Sequence, residues 1–263
     1  MMNNKPIGIF DSGVGGTSIW KEINALLPFE NTIYLADSAN APYGYKSVDE
    51  IISLSIKNTE LLMQMGCKLI IVACNTATTN AISILRNKFD IPIIGIEPAL
   101  KPAALKTKTK SIGILATQGT LMSSLFSVSA KVFTKKIQIT EVIGEGLVPL
   151  IEEGKVDTKE INILLTKYIQ PMTNNNIDHL VLGCSHYPYL IPLLEKILPN
   201  NITIIDSGEA VAKQTRNVLI KNKILSKNKN KPEHIFYTNT STFTLEMLLK
   251  KYSSSIVIKN KKF

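Results

Sequence analysis

Cys74 and Cys184 are the residues best placed to do chemistry. Each follows an apolar run without alternation: Leu69-Ile70-Ile71-Val72 leads into Ala73-Cys74-Asn75-Thr76, and Leu180-Val181-Leu182 leads into Gly183-Cys184-Ser185-His186. Such runs read as strands buried on both faces, each stopping at a thiol and followed by a helix-spaced continuation. Both cysteines then lie at the carboxyl edge of an open α/β sheet, against the N-terminus of the next helix. Asn75 and Thr76 are helix-capping types. The unpaired N–H groups and positive dipole end there are expected to favour a thiolate at Cys74.

Two thiols on opposite sides of a small chiral carbon acid supply one base per face. One, as thiolate, takes the proton; the other, as thiol, returns a proton to the opposite face, and the stereocentre inverts. The α-hydrogen of an amino acid is a very weak acid, so such a site also needs positioned donors and a dry cleft. Ser12, Asn75, Thr76 and Ser185, with helix N-terminal amides, are the types to hold a carboxylate and an ammonium. His186, two residues beyond Cys184, is placed to assist that thiol, and a carboxylate near each thiol can shuttle protons. No metal and no organic cofactor is expected. Asp11-Ser12-Gly13-Val14-Gly15-Gly16 reads either as a plain helix cap or as a loop whose N–H groups cradle an anion, and GxGxxG and the Walker lysine pattern are both absent.

The elements that position these residues repeat. Ile7-Gly8-Ile9-Phe10 matches Ile112-Gly113-Ile114-Leu115; Ile7 precedes Cys74 by 67 residues and Ile112 precedes Cys184 by 72. This spacing points to an internal duplication of an α/β unit, with one thiol per half presented to a shared cleft. In chain order, strands are expected at Ile7 to Phe10, Thr32 to Ala36, Leu69 to Val72, Ile91 to Ile96, Ile112 to Ala116, Ile137 to Val142, His179 to Leu182, Ile202 to Ile205 and His234 to Thr238. Helices are expected between them and over Phe243 to Tyr252. The turn-rich Asn40 to Tyr45 lies at the chemical edge and can set Tyr43 and the Gly44 backbone over a ligand. Thr117-Gln118-Gly119-Thr120 holds the place of the Asp11 loop in the second half, without an acid. Cys67 reads as packing.

Composition bounds the function. Of 263 residues, 44% are hydrophobic and 19% charged, enough for two modest cores. No apolar run approaches the roughly 20 residues that span a bilayer, and the N-terminus enters a strand without a signal peptide, so a cytoplasmic protein is expected. Three cysteines make no disulfide framework. The net charge of +9 is spread as lysine, five of them in a basic linker at Lys221 to Lys231, without interleaved aromatics; nucleic acid is not an expected partner, and neither is a membrane.

Other readings fit less of the chain. A Cys–His hydrolase nucleophile leaves Cys74 unexplained. A zinc site on Cys184-x-His186 lacks ligands, because there are three histidines and His179 and His234 are poorly placed. A non-catalytic two-lobed binding protein has no use for paired thiols.

The set Asp11-Ser12-Gly13-Val14-Gly15-Gly16, Pro42-Tyr43-Gly44, Ala73-Cys74-Asn75-Thr76 and Gly183-Cys184-Ser185-His186-Tyr187-Pro188 resembles, in order and over nearly the whole chain, the bacterial glutamate racemases of the cofactor-independent aspartate/glutamate racemase superfamily. The resemblance implies interconversion of L- and D-glutamate for peptidoglycan without pyridoxal phosphate; an aspartate or hydantoin racemase of the same superfamily is the alternative. By that likeness Cys74 deprotonates D-glutamate with help from Asp11, and Cys184 deprotonates L-glutamate with help from His186 and Glu152. Binding falls to Asp11, Ser12, Tyr43, Gly44, Asn75, Thr76, Ser185 and His186. Ser185 departs from the usual Thr but keeps the hydroxyl. The implied fold is two similar Rossmann-like or flavodoxin-like α/β domains, 1–97 plus 208–263 and 98–207, with the site in the cleft between them. A homodimer stays open.

Overall fold

A computed structural model describes residues 2–133 and 136–263. The first unit runs β1 (Ile7–Asp11), α1 (Thr17–Leu26), β2 (Thr32–Ala36), α2 (Val48–Gln64), β3 (Leu69–Val72), α3 (Asn75–Lys88) and β4 (Ile93–Gly95). After α4 (Leu100–Lys106), the second runs β5 (Ser111–Ala116), α5 (Gln118–Leu121), α6 (Ser124–Phe133), β6 (Gln138–Ile143), α7 (Leu147–Glu152), α8 (Lys159–Asn174), β7 (His179–Gly183), α9 (Ile191–Ile197) and β8 (Thr203–Ile205). The chain closes with α10 (Gly208–Lys221), β9 (His234–Thr238), α11 (Phe243–Leu248) and β10 (Val257–Asn260).

Two all-parallel sheets result, ordered β10-β9-β2-β1-β3-β4 and β6-β5-β7-β8. The block β2-β1-β3-β4 has the same order as β6-β5-β7-β8, as a duplication requires. Registers carry the equivalence to single residues: Ile7 pairs with Leu69 in the first sheet and Ile112 with His179 in the second. Cys74 and Cys184 each lie five residues beyond those partners.

The central strands are apolar on both faces because both faces are covered. Ile7, Ile9, Leu69 and Ile71 pack into a core that continues through Leu115, Leu180 and Leu182 of the second sheet, so one apolar cluster spans both halves. Phe10, Ile70 and Val72 point to a second cluster under α2 and α3, and Ile112, Ile114 and Val181 to a third. Cys67 packs in the second cluster, 7% exposed.

Several element bounds shift by a residue or two, and some details go beyond the sequence reading. The strand at Ile91 to Ile96 shortens to β4 at the sheet edge, where Pro92 has no N–H to give the ladder. The last helix stops at Leu248, followed by a 3₁₀ turn over Lys250–Tyr252. The basic stretch after α10 is irregular but pinned: the Ser226 N–H donates to Glu30 Oε1 at 2.7 Å, and Glu30 is paired with Lys68 at 2.6 Å with both side chains buried.

Candidate active site

Cys74 caps α3. Its Sγ accepts the Ala77 N–H at 3.4 Å and lies 3.7 Å from the Ser12 hydroxyl. These contacts and the helix end favour a thiolate, as expected from sequence, but they do not win. Burial pushes the Cys74 thiol well up, and the nearby Asp11 charge pushes it further; the Ala77 and Ser12 hydrogen bonds only moderate the rise. Cys74 therefore rests as a thiol and ionises only when the site supplies a proton acceptor, which corrects the expectation of a standing thiolate.

Cys184 follows β7 directly, with His186 Nδ1 3.7 Å from its Sγ. On the other side of the ring, His186 Nε2 and Glu152 Oε1 are 2.5 Å apart. Burial lowers the histidine's proton affinity, but the hydrogen bonds to Cys184 and Glu152 and the charge of Asp11 raise it well above the ordinary value. The ring thus sits between the Cys184 sulfur and the Glu152 carboxyl group, able as the cation to give Cys184 a proton and as the neutral ring to take one.

The glycine loop is explained by what packs on it. Its N–H groups do hold anions, but these are the protein's own: Val14 N–H donates to Glu152 Oε1 at 2.7 Å, and Gly16 and Gly13 N–H donate to Asp11 Oδ2 at 2.9 and 3.4 Å. A Cβ on Gly13 would stand 2.0 Å from Glu152 Oε1, and one on Gly15 2.3 Å from His186 Nδ1. Glycine is needed at both for close approach of the second half.

Asp11 ends β1, fully buried, and its Oδ1 accepts the Ser185 hydroxyl at 3.1 Å across the cleft. Burial raises its proton affinity, an effect the His186 cation and the Gly16 and Ser185 hydrogen bonds partly offset. The Tyr43 hydroxyl donates to the buried Asp37 at 2.5 Å, and Asn58 and Asn239 also donate to that carboxylate. Tyr43 is thereby held in place at the cleft wall.

Between these elements lies about 240 Å³ of non-protein space, part of it open to solvent. Cys74, Ser12, Tyr43, Gly44, Asn75 and Thr76 line it from the first half, and Cys184, Ser185 and His186 from the second. Asp11 and Glu152 do not line it; they stand behind Ser185 and His186. Pro42, Thr117 and Val148 line it too; the first two stood in stretches singled out from sequence, but none of the three was assigned to the site. Thr117 was legible: it lies five residues beyond Ile112, as Ser12 does beyond Ile7, so the duplication maps one hydroxyl onto the other. Its Oγ1 is 2.8 Å from Thr76 Oγ1 across the cleft. Asn75, 2% exposed, has no hydrogen-bond partner among the described residues for either side-chain polar atom. Buried amides are normally paired, so this one leaves hydrogen-bonding capacity free at the cavity wall.

A family model described as Asp/Glu/Hydantoin racemase matches residues 7–215. The chain is 43% identical over 223 residues to a glutamate racemase from Cupriavidus pinatubonensis, covering 85% of this chain and 82% of that protein. Among solved structures, the glutamate racemase isoform RacE1 from Bacillus anthracis superposes with a TM-score of 0.89 at 32% identity, covering 99% of this chain and 98% of that one. The glutamate racemase from Francisella tularensis, in complex with D-glutamate, does so with a TM-score of 0.84 at 29% identity and the same coverage.

Proposed function

The chain belongs to the Asp/Glu/hydantoin racemase family and is an amino-acid racemase acting on glutamate, and we propose that it inverts the α-carbon with two thiols and no cofactor. The observation that carries the reading is that the equivalent cysteines of the two duplicated halves line one small cavity, with His186 and Glu152 hydrogen-bonded in line beyond Cys184. The lobes that meet there are 1–97 with 208–263, and 98–207.

From D-glutamate, the Cys74 sulfur takes the α-proton after passing its own proton towards Asp11, whose burial raises its affinity for one. The C–H bond breaks, an S–H bond forms, and the electron pair left on carbon is held by the cleft donors. The Cys184 S–H then gives its proton to the opposite face, forming L-glutamate, and the imidazolium of His186, paired with Glu152, reprotonates Cys184. From L-glutamate the same transfers run backwards. Burial that makes Cys74 hard to ionise also makes its thiolate a stronger base, which suits a carbon acid this weak.

Ser12, Asn75, Thr76, Thr117, Ser185 and the Gly44 backbone supply neutral donors and acceptors for the two carboxylates and the ammonium, and the unpaired Asn75 amide is the first of these. Pyridoxal phosphate is held as a Schiff base by a lysine, and none of the twelve lining residues is a lysine. Among the described residues no helix is long and apolar enough to cross a membrane. The role we propose for the reaction is supply of D-glutamate for peptidoglycan.

The test is circular dichroism with purified protein and no added cofactor. L-Glutamate should lose its signal to zero and L-aspartate should keep it; Cys74→Ala and Cys184→Ala should each abolish the change. Full racemisation by either variant would overturn the two-thiol scheme.

A further inference from the structure

Glu152 belongs to the second lobe, yet apart from His186 its carboxylate is held by the first. Oε1 accepts the Val14 N–H at 2.7 Å, and Oε2 accepts the Ser38 hydroxyl at 2.8 Å. Ser38 opens the short 3₁₀ turn Ser38–Asn40 that follows β2 and is not among the residues lining the cavity. That turn is rigidly placed. Asp37, immediately before it and fully buried, accepts the Asn40 and Asn239 side-chain amides on one oxygen and Tyr43 and Asn58 on the other, and the Ala39 N–H donates to Asn239. The hydroxyl therefore meets the carboxylate preorganised.

The other lobe shows the reciprocal arrangement: Asp11 of the first lobe accepts the hydroxyl of Ser185 from the second. Each helper carboxylate is thus completed by a serine from the lobe that does not carry it. On these grounds we propose that Ser38 is a positioning residue for the Glu152–His186 pair, supplied by the Cys74 lobe to set how tightly the Cys184 half holds its shuttled proton. The inference rests on the two-thiol reading above.

The physical effect has a definite sign. A hydroxyl donating to a carboxylate spreads its negative charge and weakens it as a base. With Ser38 in place, Glu152 grips the imidazolium less strongly, and His186 can return its proton to Cys184. Without it, the carboxylate becomes more basic and the proton stays on the pair. Other groups feel this charge: Asp11 and Cys184 beside His186, and Tyr34, whose hydroxyl donates to the Gly13 carbonyl under the glycine loop. None of these is changed by altering Ser38, so a shift in the profile reports on the pair.

The test is the pH dependence of kcat for wild type, Ser38→Ala, Ser38→Thr and Glu152→Gln, with Cys184→Ala in the same assay. Glu152→Gln removes the negative partner of His186 and should move the limb of the profile set by this pair to lower pH. Ser38→Ala should move the same limb the other way, by about half a unit, with kcat down about threefold to tenfold at neutral pH, in line with one lost charge-assisted hydrogen bond. Ser38→Thr, which keeps the hydroxyl, should restore the wild-type profile. Should the alanine variant not fold, Ser38→Thr against Ser38→Val makes the same comparison. A Ser38→Ala profile that matches wild type, or that moves in the Glu152→Gln direction, overturns the proposal. Racemisation by Cys184→Ala would instead overturn the two-thiol reading itself, whatever Ser38 does.

Discussion

A single methyl group probes the glycine loop more sharply than removal of any charged side chain. At Gly13 it would displace the Glu152 carboxylate, and at Gly15 the His186 ring, while the core beneath is untouched. Because misplacing a catalytic group by about 1 Å costs roughly a hundredfold in rate, Gly13→Ala and Gly15→Ala should each lower kcat by about that factor. Melting temperatures should stay within a few degrees of wild type; a collapse in stability with the rate would show that the glycines serve the fold instead. The case also shows what was legible at this scale. The thiols and His186 stand out because their chemistry and setting are local: an apolar run, a small residue, a cysteine, a helix start. The loop was equally visible as a cradle for anions, but its anions come from Asp11 at the loop's own start and from Glu152, 138 residues from Val14. Ser38 and Val148 were illegible for the same reason, since a contact across a cleft leaves no trace in neighbouring sequence. The helix-end argument for a Cys74 thiolate failed because burial, which sequence does not measure, outweighs one N–H donor.

At the scale of elements, β9 shows how an added strand is fixed to a duplicated sheet. It pairs in parallel with β2, Thr32 opposite His234 and Ala36 opposite Thr238. Trp20 Nε1 of α1 donates to Thr32 Oγ1 at 2.9 Å, which leaves the Thr32 hydroxyl to donate to His234 Nδ1 at 2.8 Å. That chain needs a neutral histidine with a free Nδ1 lone pair, and burial keeps His234 neutral, lowering its pKa to about 4. The unfolded histidine titrates near 6.5. Between those values the unfolded state binds the extra proton, so this group's contribution to stability is intact above about pH 6.5 and falls as pH drops towards 4. Urea midpoints for His234→Asn should fall less steeply than wild type over that window. Equal slopes would mean that the histidine is not what titrates. Alternation and β-branching were enough to read β9 as a strand. They say nothing of which edge it joins, because a late strand matches either sheet equally well by pattern; the family resemblance, not the residues, pointed the C-terminal segment back to the first half. The four strands of each half were legible within a residue or two because they are short, apolar and bounded by turn chemistry.

At the scale of the whole molecule, the residues proposed to do the chemistry are among those that join the two proposed lobes. Asp11 with Ser185, Glu152 with Val14 and Ser38, and Thr76 with Thr117 all cross the cleft, so on the two-thiol proposal the hydrogen bonds that join the lobes also hold the proton-relay groups in place. A ligand that fills the cavity between them stabilises the closed form by mass action. At a hundredfold excess over Kd this is worth about 2.7 kcal/mol, or roughly 5–10 °C in Tm for a chain of this size. D-Glutamate should give such a shift in differential scanning fluorimetry, and Asn75→Ala, which removes the unpaired amide in the cavity, should lose most of it. One further consequence follows from where the two thiols reside. Both halves of the cleft come from one chain, joined through β4 and α4 and again through α10, and one apolar cluster runs through both. A site completed by the neighbouring subunit would let Cys74→Ala and Cys184→Ala complement each other, since mixed assemblies would contain clefts with both cysteines intact. A site built within one chain forbids this: every cleft in the mixture still lacks one thiol. Mixing the two variants, with denaturation and joint refolding to exchange any subunits, should therefore yield no racemase activity. Recovery of activity in the mixture would mean that the lobes facing each other belong to different chains.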